Sequence, residues 1–106
     1  MVIVLLRTRV HTTCDPQAVE ALEAEMYELV QRMPGFISAE TVGGLGIIRF
    51  ASLEALQAWR DHPDHVAAQR RGRAELYGWY SIEVCELVRA YGFDASAGDP
   101  RELPAR

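Results

Sequence analysis

The stretch F-I-S-A-E-T-V-G-G-L-G-I-I-R-F-A, residues 36–51, decides the fold. Apolar and β-branched residues fill both ends, with Gly43-Gly44-Leu45 between them. Residues 36–42 and 46–51 therefore read as two short strands of a hairpin. Immediately upstream, Pro34-Gly35 closes a helix. That helix opens at Asp15, a good N-cap, followed by Pro16, whose missing N–H costs nothing in a first turn. Its apolar stripe is Val19, Leu22, Met26, Leu29, Val30 and Met33, while Glu20, Glu23 and Glu28 fall off the stripe and make the outer face acidic. Residues 2–11 form a strand before it. Downstream, Ser52 caps a second helix with Leu53, Leu56 and Trp59 inward. Pro63 interrupts that helix, because proline disfavours helical backbone at the residue before it. The helix restarts and runs to about Tyr77. Residues 79–91 form a long last strand, and from Asp94 onward Ala, Ser, Gly, Pro and charge predict a mobile tail.

The order is βαββαβ over residues 1–93, with a tail over 94–106. This is the ferredoxin-like pattern, an α+β fold with a four-stranded antiparallel sheet and helices on one face only. Side chains alternate along a strand. On the first strand Val2, Val4, Leu6 and Val10 share the face suited to the helices, and Ile3, Leu5, Arg7 and Arg9 share the other. On the last strand Ile82, Val84 and Val88 oppose Ser81, Glu83, Cys85 and Leu87. The mixed face keeps Ile3, Leu5 and Leu87, and an exposed apolar face of that kind marks an interface. A homodimer packed through the two sheets follows, with Arg7, Arg9, Arg49 and Glu83 as an ion-pair cluster within it.

The 106-residue length fits one domain, and so small a domain gains from a partner. The formal net charge of -4 is the wrong sign for a nucleic-acid binder. All eleven basic residues are Arg, and the chain has no Asn. Cys14 and Cys85 are too few for a disulfide framework and read as free thiols of a cytoplasmic protein. The apolar run Val2 to Leu6 is too short for a signal peptide, and no segment approaches the length of a membrane span.

Chemistry concentrates in W-R-D-H-P-D-H-V-A-A-Q-R-R-G-R, residues 59–73. Trp59 and His62 share one helix face, and His65 and Gln69 share another. A metal site from Asp61, His62, Asp64 and His65 lacks a recognised ligand spacing, so no metal is expected. His62 and Asp64 instead suit the helix break at Pro63. Arg70, Arg71 and Arg73 read as a solvated face. No phosphate loop, nucleophile elbow or paired-Cys motif is present, which argues against nucleotide cofactors and serine hydrolase chemistry.

The segments W-R-D-H-P-D-H-x-x-A-Q-x-x-G-R and W-Y-S-I-E-V-C-E-L-V-R-A-Y-G-F resemble those of the antibiotic biosynthesis monooxygenase family, over about residues 2–93. The resemblance implies a dimeric α/β barrel of ferredoxin-like protomers, with a pocket between sheet and helices. It implies oxidation of a small aromatic or quinol-type substrate by O2 without metal, flavin or other cofactor. The haem-cleaving branch of the family has an Asn on the first strand, which falls near Arg7, a Trp that matches Trp59, and a His that falls on Gln69. Haem cleavage is therefore not expected. Within that reading Trp59 donates its indole N–H to a phenolate, and His65 or His62 is the base. Arg7, Gln69, Tyr77 and Tyr80 bind or orient the ligand. The alternative, prompted by the departures at Arg7 and Gln69, is a non-enzymatic dimer that binds a small hydrophobic ligand.

Overall fold

The computed structural model describes residues 1–96 and 100–102. Strand β1 (Val2–Val10) leads to helix α1 (Pro16–Gln31), the hairpin β2 (Phe36–Val42) and β3 (Leu45–Phe50), helices α2 (Leu53–Arg60) and α3 (Pro63–Arg71), and β4 (Tyr77–Glu86). A single wide helical turn, Gly72–Leu76, joins α3 to β4. The sheet is antiparallel throughout, in the order β2-β3-β1-β4, which is the ferredoxin-like arrangement.

The local signals act as expected. The Asp15 carboxylate accepts from the Gln17 N–H with Pro16 at the first helical position, and the Ser52 hydroxyl accepts from the Ala55 N–H. Gly43 turns the hairpin with φ +60°. Gly35, at φ +80°, lets the chain leave α1 against Ala55 of α2; a Cβ there would stand 2.6 Å from the Ala55 Cβ.

The larger core cluster joins Val2, Val4, Val30, Phe50 and Trp59, with Phe36 edge-on to Phe50 at 6.3 Å. A second cluster, Val19, Leu22 and Leu76, packs under the wide turn. Val4 pairs with Ile48 on one side and Val84 on the other, so one sheet face is continuous from β2 to β4.

Four expectations change. Val10 leaves the apolar face, because the β1–β4 register shifts between Arg9 and Val10, and it is exposed. Leu53 is exposed too, at the mouth of α2 rather than under it. Ile82 and Val84 were expected beneath the helices but are 46% and 51% exposed. They sit on the edge strand, and α1 and α2 pack chiefly on β2 and β3. Finally, the last strand spans 77–86 rather than 79–91. Just past its end the Leu87 N–H donates to the Met1 carbonyl. Tyr91–Phe93 (β5) instead pairs antiparallel with Pro100–Glu102 (β6) as a separate two-stranded ribbon. Of the segment expected to be a tail, residues 97–99 and 103–106 lie outside the described residues.

No helix among the described residues is long and apolar enough to cross a membrane.

Candidate functional site

The break between α2 and α3 builds the site. In an unbroken helix of about 3.6 residues per turn, positions six apart point about 120° from each other. Trp59 and His65 could not then touch. Here α2 ends at Asp61 and the His62 Nδ1 accepts from the Asp64 N–H, capping α3 with Pro63 at its first position. The chain turns between the two helices, and the Trp59 and His65 rings stack with centroids 4.3 Å apart and planes 39° from parallel. Trp59 is at the same time a buried member of the core, which fixes the pair against the sheet.

The break also frees backbone groups. The last carbonyls of a helix have no partner within it. Asp61 and His62 N–H groups take up those of Gln57 and Trp59, and the His65 Nδ1 lies 3.2 Å from the carbonyl oxygen of Arg60. A carbonyl only accepts, so Nδ1 carries the proton in this contact and Nε2 keeps its lone pair. Burial pulls the His65 pKa below the ordinary imidazole value; the Arg60 carbonyl opposes that shift and His62 adds to it. His65 is thus held neutral, in one tautomer, with its basic nitrogen unspent.

Trp59 and His65 open onto a cavity of about 660 Å³ between the helices and the sheet. That is the size range of small-molecule sites. Leu6, Ile48 and Ile82 give it an apolar floor, and Leu22, Met26 and Val30 of α1 an apolar roof. Gln69, Tyr77 and Tyr80 supply polar groups to the wall. The Tyr80 hydroxyl accepts from the Arg73 Nε at 2.6 Å. The Tyr77 hydroxyl donates to Glu23 Oε1 at 3.1 Å. Burial and the Glu23 carboxylate push the Tyr77 pKa up to about 12. Gly72 lies behind the Tyr77 ring, where a Cβ would come within 2.9 Å of it. The indole N–H of Trp59 bonds no described residue, yet no buried polar atom lacks a partner. It therefore keeps contact with solvent.

The expected site residues divide. Trp59, His65, Gln69, Tyr77 and Tyr80 line the one cavity. His62 does not; it caps α3. Arg7 is on the other face of the sheet, where it pairs with Glu83 across β1 and β4. The remaining members of the expected ion-pair cluster share that face but separate. Arg49 bonds Glu40 at 2.7 Å and touches Ser38, and the Arg9 guanidinium lies 4.7 Å over the Trp79 ring. Glu40 and Trp79 are each a shorter reach, and each pulls its arginine away from Glu83. Arg70, Arg71 and Arg73 are all exposed, as expected of a solvated face, though Arg71 pairs with Glu75. No group of three His, Cys, Asp or Glu side chains able to hold a metal stands together among the described residues.

Sequence reasoning missed Glu23, Met26, Tyr27 and Thr8, which also line the cavity. The helical stripe could have supplied Met26, but Glu23 falls off it and enters the wall only because Tyr77, 54 residues away, reaches it.

No family model matches the chain. A protein of Bacillus subtilis, the uncharacterized YqjZ, is 30% identical over 79 residues, which cover 70% of this chain and 69% of that protein. Among solved structures, SnoaB from Streptomyces nogalater, a cofactor-independent oxygenase, superposes with a TM-score of 0.71 at 17% identity, over 84% of this chain and 94% of SnoaB. A dimeric ferredoxin-like protein of unknown function from Thermobifida fusca gives 0.65 at 18% identity, over 81% of this chain and 90% of that one.

Proposed function

We propose that the chain is a member of the antibiotic biosynthesis monooxygenase family, whose ferredoxin-like fold it shares with SnoaB, and that it works as a cofactor-independent monooxygenase. Its substrate is a small electron-rich phenol or quinol, and its working form is a homodimer. The observation that carries the reading is the Trp59–His65 pair: a neutral imidazole with a free Nε2, stacked on an indole with a free N–H, at the wall of a largely apolar cavity.

The chemistry needs little from the protein. Nε2 of His65 takes the phenol proton, and the Trp59 N–H steadies the phenolate oxygen. An electron-rich phenolate with a ring C–H para to its oxygen passes one electron to O2. The resulting radical and superoxide combine at that carbon, and the hydroperoxide formed loses water to leave a carbonyl. One O2 thus gives one quinone oxygen and one water, with both electron pairs drawn from the substrate. An apolar enclosure suits a reaction whose intermediates react with water.

Dimerisation follows from the helix-free face of the sheet. Ile3, Leu5 and Ile47 are only half-buried there, beside the Arg7–Glu83 and Arg49–Glu40 pairs. A second copy packed on that face would bury the apolar residues and leave each charge with its partner. Cys14 and Cys85 are both free thiols, which fits a reducing cytoplasm.

The test is O2 consumption by metal-stripped protein with a panel of hydroquinones and polycyclic phenols. Protein-dependent uptake with quinone formation, lowered about ten-fold or more in Trp59→Phe and in His65→Gln, is the expected result. Ligand binding without any uptake across the panel would replace the enzyme reading with that of a ligand-binding dimer.

A further inference from the structure

The cavity wall contains two carboxylate residues, and only one presents its charge there. Glu40 sits on β2 opposite Ile47 and turns its side chain onto Arg49 on the helix-free face, so it contributes backbone to the wall. Glu23, on α1, meets the wall with its side chain. Its Oε1 accepts from the Tyr77 hydroxyl, itself a wall residue. No cation among the described residues pairs with it, and Oε2 bonds nothing among them. Arg73 reaches the wall only through the Tyr80 hydroxyl, which takes its Nε. His65 is neutral. The cavity therefore has one net charge on its wall, negative, held in place by a tyrosine, with an acceptor oxygen to spare.

A carboxylate at ordinary pH only accepts. It can take a proton donor from a ligand, and it repels a second carboxylate brought close to it. We propose that Glu23 is the residue that selects the ligand: it anchors aromatic molecules carrying a second hydrogen-bond donor, a hydroxyl or amine besides the reacting phenol, and turns away those carrying a carboxylate. The proposal rests on reading the cavity as a phenol site and adds to it the substrate class: uncharged, polyhydroxylated aromatics rather than aromatic acids.

Three matched probes test it: 2,6-dihydroxynaphthalene, 2-naphthol and 6-hydroxy-2-naphthoic acid, titrated calorimetrically into the full chain and into Glu23→Gln and Glu23→Ala. A hydrogen bond to a charged acceptor is worth about a factor of ten or more in affinity. The wild-type protein is expected to bind the diol about tenfold more tightly than 2-naphthol, and the acid about tenfold more weakly than 2-naphthol. Glu23→Gln keeps an acceptor for Tyr77 and removes the charge, so the acid should recover to within about threefold of 2-naphthol. Glu23→Ala should lose the preference for the diol. Glu23 is exposed on the helix surface, and neither variant disturbs the core. Equal affinity ratios in wild type and Glu23→Gln would overturn the selection role while leaving the phenol site standing. Failure of all three probes to bind the wild-type protein would overturn the phenol site and the selection role together.

Discussion

The imidazole of His65 rests on the indole of Trp59, 4.3 Å between centroids, although the two residues belong to different helices. This contact couples the core to the candidate chemistry. One ring is a buried member of the main apolar cluster, and the other holds an unspent basic nitrogen.

The first prediction concerns pH. Burial lowers the His65 pKa, so the neutral, basic form persists below the ordinary imidazole range of about 6.5. Oxygenase activity should hold its plateau as pH falls through that value and decline only below it, as Nε2 becomes protonated. The linked effect on folding has the same sign. The unfolded chain takes up the His65 proton first, so this contribution to stability is complete above the ordinary value and is lost as pH falls through the folded one. Following the His65 ring by NMR titration alongside O2 uptake checks both; a midpoint at or above the ordinary imidazole value of about 6.5 would contradict them.

The second concerns Trp59. Phe in its place keeps most of the apolar area and loses the N–H, so denaturant unfolding should shift by only about 1–2 kcal/mol while O2 uptake falls by ten-fold or more. Ala should cost about 3–5 kcal/mol, since it leaves a cavity among Val2, Val4, Val30 and Phe50. If Trp59→Phe proves as active as the wild type, the residue is a core residue only.

The third concerns Tyr77. With its pKa near 12, its phenol should stay protonated in an ultraviolet titration through pH 10–11, where an ordinary tyrosine ionises. Glu23→Gln removes the neighbouring charge and should bring the midpoint down part of the way, leaving the share due to burial. Subtracting the Tyr77→Phe titration isolates the signal.

The fourth concerns Gly35. An Ala there must adopt φ +80° and place its Cβ 2.6 Å from that of Ala55. The strain should cost about 2–3 kcal/mol, read as a lowered denaturation midpoint with the slope unchanged.

The fifth concerns the sheet face. Arg7–Glu83 is an exposed pair in the single protomer and would contribute less than about 1 kcal/mol there. Covered in a dimer, a lone Glu83 becomes costly. Arg7→Ala should raise the dimer dissociation constant by about tenfold or more in sedimentation equilibrium and leave ligand binding unchanged, since Arg7 does not line the cavity. An unaltered dissociation constant would place the subunit contact elsewhere.

The elements were readable because their punctuation is local. Asp15-Pro16, Pro34-Gly35, Gly43-Gly44, Ser52 and Pro63 each act within a turn of themselves, and each does so in the structure. What escaped depends on length or on distance. The end of β4 depends on its pairing with β1, and the exposure of Ile82 and Val84 on how far the helices reach across the sheet. The site was legible to the same degree. Trp59, His65 and Gln69 come from one segment whose break is written in Pro63, and they do meet at the cavity. Glu23 looked like an ordinary outward glutamate because its partner is supplied by another element. Arg9 was assigned a carboxylate and found instead the ring of Trp79, its direct partner across β1 and β4; parity puts both candidates on one face and only the register chooses between them.

The helix break at His62-Pro63 finally sets a conflict between robustness and use. Joining α2 and α3 into one rod would satisfy the Arg60 carbonyl from the backbone and add helical hydrogen bonds, so substitutions there such as His62→Ala with Pro63→Ala are ones that selection for thermal endurance would favour. The same rod would swing His65 to another side of the helix and separate it from Trp59. A hardened version of this protein would thus be one with its proposed base disconnected, and the interruption marks where the chain gives up firmness to keep the two rings stacked.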